Sequence, residues 1–466
     1  MDHPDRFDPA SVGAFWVLDH RFDPVTREVT LRYAFDRGPA FEESVVFETQ
    51  PRSDWRGPAA GFDRALLHLQ IAAGTSYYKA AAPPLVEVVG ADLPGCEAEF
   101  HRRLYDDGLR EFAIANGLPV PLSVSVRSSG AVAEGVDPAG PLPTGRKVPA
   151  HDPTARPGGL AVPIGGGKDS MVLIEALRPF APTLFAVNPH PLVEELAAGT
   201  GLDLVVVRRR LDPSLAVLNR SGAMNGHVPI TAIVSLIAVV GSFLYGYDAI
   251  AMAIERSASE ETRVVGGVTV NHQFSKGAEF EGLLRHLVTS AIDPGLTYAS
   301  ALRPYSELAI ARAFAGLTAY HPTFCSCNRA FRQDAAPDQR WCGDCPKCRF
   351  VGLMLAPFLT PAAVSGIIGR DLFADPGQIV GFAALMSDED KPFECVGERR
   401  ESAAAIRMLS ERPEWSTTAV VRALAPRARA LVSASEVASL LVAEDGSAFP
   451  DPSVAAAVDR ALSPAP

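Results

Sequence analysis

The chain has 466 residues, 47% hydrophobic and 21% charged, with a net charge of −11 at neutral pH. That length calls for two or three domains, and the balance of residues suits a globular protein and excludes wholesale disorder. An acidic total without any Lys/Arg-rich block argues against nucleic acid as a partner.

The opening MDHPDRFDPA is polar and acidic and does not read as a secretory signal. Residues 1–150 read as an N-terminal α+β domain. Residues 27–35 (REVTLRYAF) and 43–47 (ESVVF) alternate as strands do, and residues 61–73 carry Leu66, Leu67, Leu69 and Ile71 at helical spacing. The stretch 130–158, rich in Gly and Pro, reads as a linker. From Leu160 the character changes: LAVPI, TLFAV at 183–187 and residues 204–207 are strand-like, with helical segments between them. Such alternation predicts a parallel sheet covered on both faces across residues 157–360. Residues 228–247 carry no charge and approach the length of a membrane span. They also contain Pro, Gly, Ser and Thr and lack basic flanks, so a helix buried on all sides of an α/β domain is expected instead. Residues 361–466 are Ala- and Leu-rich and read as a C-terminal helical region.

Two motifs carry chemistry. The first, Gly165-Gly166-Gly167-Lys168-Asp169-Ser170, lies between a strand and a helix, where open α/β sheets bind ligands. Consecutive glycines let backbone N–H groups approach a phosphate, and the positive end of the helix adds to them. Lys168 adds charge and Ser170 a hydroxyl. Glycine-rich turns also occur without any ligand, but the flanking strand and helix favour the phosphate reading. No Walker A spacing is present, because Asp169 follows the lysine. The loop resembles the PP-loop of the ATP pyrophosphatases, SGGxDS, with Gly165 in place of the opening serine. That resemblance implies a HUP-like doubly wound parallel sheet, cleavage of ATP to AMP and diphosphate, and Mg²⁺, with Asp169 contacting the metal or organising the loop.

The second motif holds Cys325, Cys327, Cys342, Cys345 and Cys348, in CSCNRAF and WCGDCPKC. Tight clustering of an odd cysteine total fits a reducing, cytoplasmic compartment better than a disulfide scaffold. Thiolates at this spacing suit structural zinc; an iron–sulfur cluster and metal-free buried cysteines remain alternatives. The pattern resembles that of the queuosine-precursor nitrile synthases, which implies Cys327, Cys342, Cys345 and Cys348 as ligands and leaves Cys325 spare.

Polar runs elsewhere sit where a core explains nothing: Asn225-Gly226-His227, Glu255-Arg256-Ser257 and residues 270–276 (VNHQFSK). Together with GGGKDS, SCNRAF, WCGDCPKCRF and KPFECVGE, they resemble the UDP-N-acetyl-α-D-muramoyl-L-alanyl-L-glutamate epimerase (MurL) family. That resemblance covers most of the chain and implies ATP-dependent inversion of the terminal L-Glu of UDP-MurNAc-L-Ala-L-Glu through an acyl-adenylate. Inversion needs proton transfer on both faces of the α-carbon. His227, His272 and Lys276 are the candidates for it, with the Cys395 thiol as an alternative. The rival readings are a PP-loop amide ligase or nucleobase-modifying enzyme and, from another class, an ATP-sensing protein.

Overall fold

The computed structural model describes residues 7–51, 61–129, 159–260, 263–265, 267–271, 273–331, 340–387, 392, 394, 396–444 and 449–463. The linker expected at 130–158 lies outside them.

The strands in chain order are β1 (Ala14–Asp23), β2 (Glu28–Phe35), β3 (Ala40–Phe47), β4 (Leu85–Val89), β5 (Ser125–Ser129) and β6 (Leu160–Pro163). They continue with β7 (Thr183–Val187), β8 (Leu204–Arg210), β9 (Ala249–Met252), the short hairpin β10 (Arg263–Val265) and β11 (Val268–Val270), and β12 (Thr297–Ser300). The helices used below are α1 (Phe62–Ala73), α2 (Gly95–Gly108), α3 (Lys168–Leu177), α4 (Pro191–Thr200), α5 (Ile230–Tyr245) and α6 (Ala278–Leu287). To these are added α7 (Glu307–Ala315), α8 (Pro346–Leu355), α9 (Arg399–Ser410), α10 (Ala419–Leu431) and α11 (Pro452–Leu462). The protein is mixed α/β and divides into two compact units, each assembled from separate stretches of chain.

The first unit comprises residues 1–159, 205–250 and 264–298. Its strands run in the order β8-β3-β2-β1-β4-β5. β1, β2 and β3 form an antiparallel meander, while β4 pairs parallel with both β1 and β5. Alternation along β2 puts Val29, Leu31, Tyr33 and Phe35 into the core. β8 pairs antiparallel with β3, so the sheet is mixed and not the wholly parallel one expected. Arg209 ties the two strands: buried on β8, it forks onto Glu43 of β3 at 2.6 and 3.1 Å and also donates to Ser76 Oγ at 2.8 Å. A parallel, all-apolar sheet has no place for that charge.

Helix α5 is the apolar segment, and it packs on α1, with Phe62 and Phe243 meeting edge to face at 5.7 Å. Its two internal serines bond within the helix: Ser235 Oγ donates to Thr231 O at 2.7 Å and Ser242 Oγ to Val239 O at 2.6 Å. Among the described residues no helix is long and apolar enough to cross a membrane.

The second unit comprises residues 160–204, 251–263 and 299–466. Its strands run β12-β9-β6-β7, with β6 and β7 parallel. Helix α3, which leaves β6 through the glycine loop, packs against α7 and α11. Beyond residue 361 the described elements are helical, with α9 and α10 packed together and Trp415 buried against Phe373 at 4.8 Å.

Candidate active site

The glycine loop joins the end of β6 at Pro163 to the start of α3 at Lys168. Gly166 takes φ +87°, the left-handed region where a Cβ is strained, and a Cβ there would press on Val193 at 3.1 Å. Gly167 caps α3 and a Cβ on it would stand 2.8 Å from Ser326 Oγ. At Gly165 a Cβ would meet nothing within 4 Å, so the space for a hydroxyl side chain is open. No side chain caps α3, which leaves its first-turn N–H groups available to an anion. The Ser170 hydroxyl turns back to donate to Gly167 O at 3.0 Å.

Lys168 is only 2% exposed, and its ammonium contacts both Asp169 and Glu307. Burial favours loss of its proton, but the two carboxylates outweigh this and hold its pKa above the usual lysine range. Burial, with Asp169 and Glu255 nearby, pushes the Glu307 carboxyl well up, against the pull of Lys168. Carboxylate oxygens of Asp169, Glu255 and Glu307 lie within 4.8 Å of one another. Glu307 and Glu401 escape a reading of the sequence, because an acid in the first turn of a helix looks like ordinary capping.

The thiols of Cys327, Cys342, Cys345 and Cys348 also lie within 4.8 Å of one another, with separations of 3.8, 3.7 and 3.5 Å for three of the pairs. Four sulfurs about 2.3 Å from one tetrahedral ion stand about 3.8 Å apart, so the cage fits a single zinc-sized ion. Thiolates around an iron–sulfur cluster would be spread more widely. Cys345 caps α8 and accepts from the Cys348 N–H at 3.4 Å, while Cys327 accepts from the Cys342 N–H at 3.4 Å. Such N–H···S bonds favour thiolate. Cys325 differs: it donates to Arg340 O at 2.8 Å, and burial pushes its thiol up to about 11, which keeps it protonated.

The loop and the thiols share a backbone contact. Cys325 N–H donates to Gly166 O at 2.9 Å, so the first residues of the cysteine motif form one wall of the glycine loop. Asn328 in turn donates to Glu394 at 3.0 Å, bringing SCNRAF to KPFECVGE.

His227 and Lys276 belong to the first unit. His227 precedes α5, and its Nδ1 stands 3.6 Å from Glu111. Lys276 closes the turn Phe274–Lys276, against which α5 packs. The preceding Asn225 is held by Lys79, whose ammonium donates to Asn225 Oδ1 at 2.6 Å and to Gly226 O at 3.1 Å. Burial, aided by Arg209, lowers the Lys79 pKa. That lysine lies in YYKAAAP, where no pattern marks it. His272 and Cys395 lie outside the described residues.

Comparison with known proteins agrees with these motifs. Residues 6–301 match the MurL N-terminal domain and residues 323–439 the MurL C-terminal domain. A Salinispora tropica protein named UDP-N-acetyl-alpha-D-muramoyl-L-alanyl-L-glutamate epimerase is 42% identical over 89% of this chain and 88% of its own. Proteins of the same name from Xanthomonas oryzae pv. oryzae and a Micromonospora species are 40% and 42% identical, each over 89% of this chain and 90% of its own. No solved structure matches the chain. With both family domains matched in order and such relatives covering nearly nine-tenths of its length, the chain belongs to the MurL family.

Proposed function

We propose that the protein is an isomerase that epimerises the terminal L-Glu of UDP-MurNAc-L-Ala-L-Glu to D-Glu in peptidoglycan precursor synthesis, consuming ATP at a PP-loop. The observation that carries the reading is the identity of 40–42% to three epimerases along almost the whole chain. The glycine loop on the uncapped start of α3 supports the ATP part of it.

The chemistry explains why ATP is needed. A proton beside a carboxylate is very weakly acidic, because its removal sets two negative charges together. The substrate carboxylate attacks the α-phosphorus of ATP, diphosphate leaves, and the acyl-adenylate that forms can accept the electron pair released at the α-carbon. One group removes the α-proton, a proton returns on the opposite face, and water releases AMP. His227, His272 and Lys276 are the proton-transfer candidates. Asp169, whose carboxylate lies close to that of Glu255, would contact Mg²⁺, which would neutralise charge on the departing diphosphate. Zinc held by the four thiolates would be structural, and a reducing cytoplasm suits it.

Incubating the protein with UDP-MurNAc-L-Ala-L-Glu, ATP and Mg²⁺ should yield D-Glu dipeptide with AMP and diphosphate. Inversion without ATP would refute the adenylate; AMP formed only with tRNA, ammonia or a sulfur donor would favour the ligase reading.

A further inference from the structure

Lys168 is the one cation in the loop motif, yet its side chain is buried and not presented at the loop surface. Its ammonium is enclosed with Asp169 and Glu307, at 2% exposure. Glu307 is the first residue of α7, and the same turn is braced twice more. Ser306 Oγ accepts from the Ala309 N–H at 3.0 Å, and the Glu307 N–H donates to Glu401 Oε1 at 2.7 Å. Glu401 is fully buried, and its second oxygen accepts from the Glu398 N–H at 2.9 Å. Gly397 sits against this pair: a Cβ there would stand 2.5 Å from Glu401 Oε2 and 2.9 Å from Glu307 Cγ.

Resting on the nucleotide reading, we propose that Lys168 is a positioning residue and not a phosphate ligand: it ties the glycine loop to α7 through Glu307, with Glu401 and Gly397 backing the tie. Gly165 has open space at its Cβ position, Gly167 has no side chain with which to cap α3, Ser170 Oγ returns to Gly167 O, and the backbone bond from Cys325 N–H to Gly166 O anchors the opposite side. Two anchors, one on each side of Gly167, keep the N–H groups converged before ATP arrives. A site arranged in advance spends less binding free energy on ordering.

The test compares Glu307→Gln, Lys168→Met and the double variant Lys168→Met/Glu307→Leu. Melting temperature is read beside KM for ATP and kcat in the AMP-forming epimerisation of UDP-MurNAc-L-Ala-L-Glu. Glu307→Gln keeps the lysine but loosens it. Positioning predicts a KM for ATP raised at least tenfold, whereas a direct phosphate role predicts an unchanged or lower KM once the lysine is freed. The double variant replaces a buried ion pair with apolar groups, a change that often leaves stability intact. Its melting temperature should recover relative to Lys168→Met while KM for ATP stays raised. Recovery of the melting temperature together with a KM for ATP within twofold of wild type would reduce the pair to a stability element and overturn the proposal. Should the charge variants fail to fold, Gly397→Ala presses on Glu401, the Phe350 ring and Glu307 without removing a charge and should raise KM for ATP severalfold; an unchanged KM in that folded variant overturns the proposal. A wild-type protein that forms no AMP and needs no ATP defeats the nucleotide reading itself, before any variant is made, and this inference with it.

Discussion

Loss of one cysteine ligand should strip the thiolate cage of its metal and weaken the nucleotide loop in the same stroke. The perturbation is Cys348→Ala, which removes a fully buried thiol from the set of four. The separations of 3.5–3.8 Å imply a metal–sulfur distance of about 2.2 Å when divided by the edge-to-radius ratio of a tetrahedron, beside about 2.3 Å for zinc–thiolate bonds. X-ray absorption on the wild-type protein should therefore find four sulfur scatterers at that distance and no metal–metal vector. Because the unfolded chain holds no such site, metal binding is coupled to folding, and Cys348→Ala should cost at least ~3 kcal/mol. With an unfolding entropy of about 2.1 cal/mol/K per residue over 466 residues, that is a fall in Tm of about 3 °C. Since Gly166 O is held by the Cys325 N–H, KM for ATP should rise with the metal loss. Wild-type protein purified under reducing, chelator-free conditions with well under one metal equivalent would refute the reasoning. So would a metal–metal vector, which would mean a cluster.

Gly165→Ser places a hydroxyl in open space and should leave stability within about 1 kcal/mol of wild type with KM for ATP unchanged or lower, whereas Gly166→Ala, at φ +87°, should lose stability and ATP turnover together; equal tolerance of both in thermal melts and AMP release would refute the loop geometry. A pH effect should arise from His68 and His101, whose rings stack at 5.2 Å with Nδ1 of one 2.9 Å from Nε2 of the other. Burial holds both below the ordinary histidine pKa, so the unfolded chain binds more protons below about pH 6.5 and stability, full above that pH, falls by up to about 1.4 kcal/mol per pH unit for each histidine. His101→Gln should flatten urea-derived stability between pH 6.5 and 5; an undiminished slope would refute the assignment.

Local chemistry is legible in this sequence to the extent that neighbours in the chain supply it. The strand at 160–163, the glycine loop and the helix from Lys168 follow one another, so their arrangement can be read directly. The cysteines 342, 345 and 348 are likewise close in sequence. What escapes is long-range. Arg209 pairs with Glu43 across the antiparallel β8–β3 pair, and nothing near either residue announces the pairing. Residues 205–250 and 264–298 accordingly fold with the first strands, in a unit that chain order does not reveal. The same holds for Lys168: the motif offers a cation, but only Glu307, 139 positions away, shows that it faces inward. Lys79, 146 positions from Asn225, is a further case.

The bond from Cys325 N–H to Gly166 O, with Ser326 filling the space beside Gly167, makes the glycine loop and the cysteine motif a single mechanical part. A graft of GGGKDS alone onto another sheet would arrive without its outer wall. Within the family, a lineage that gave up its thiolates would have to rebuild that wall from other residues, so the two motifs should be gained, kept and lost together.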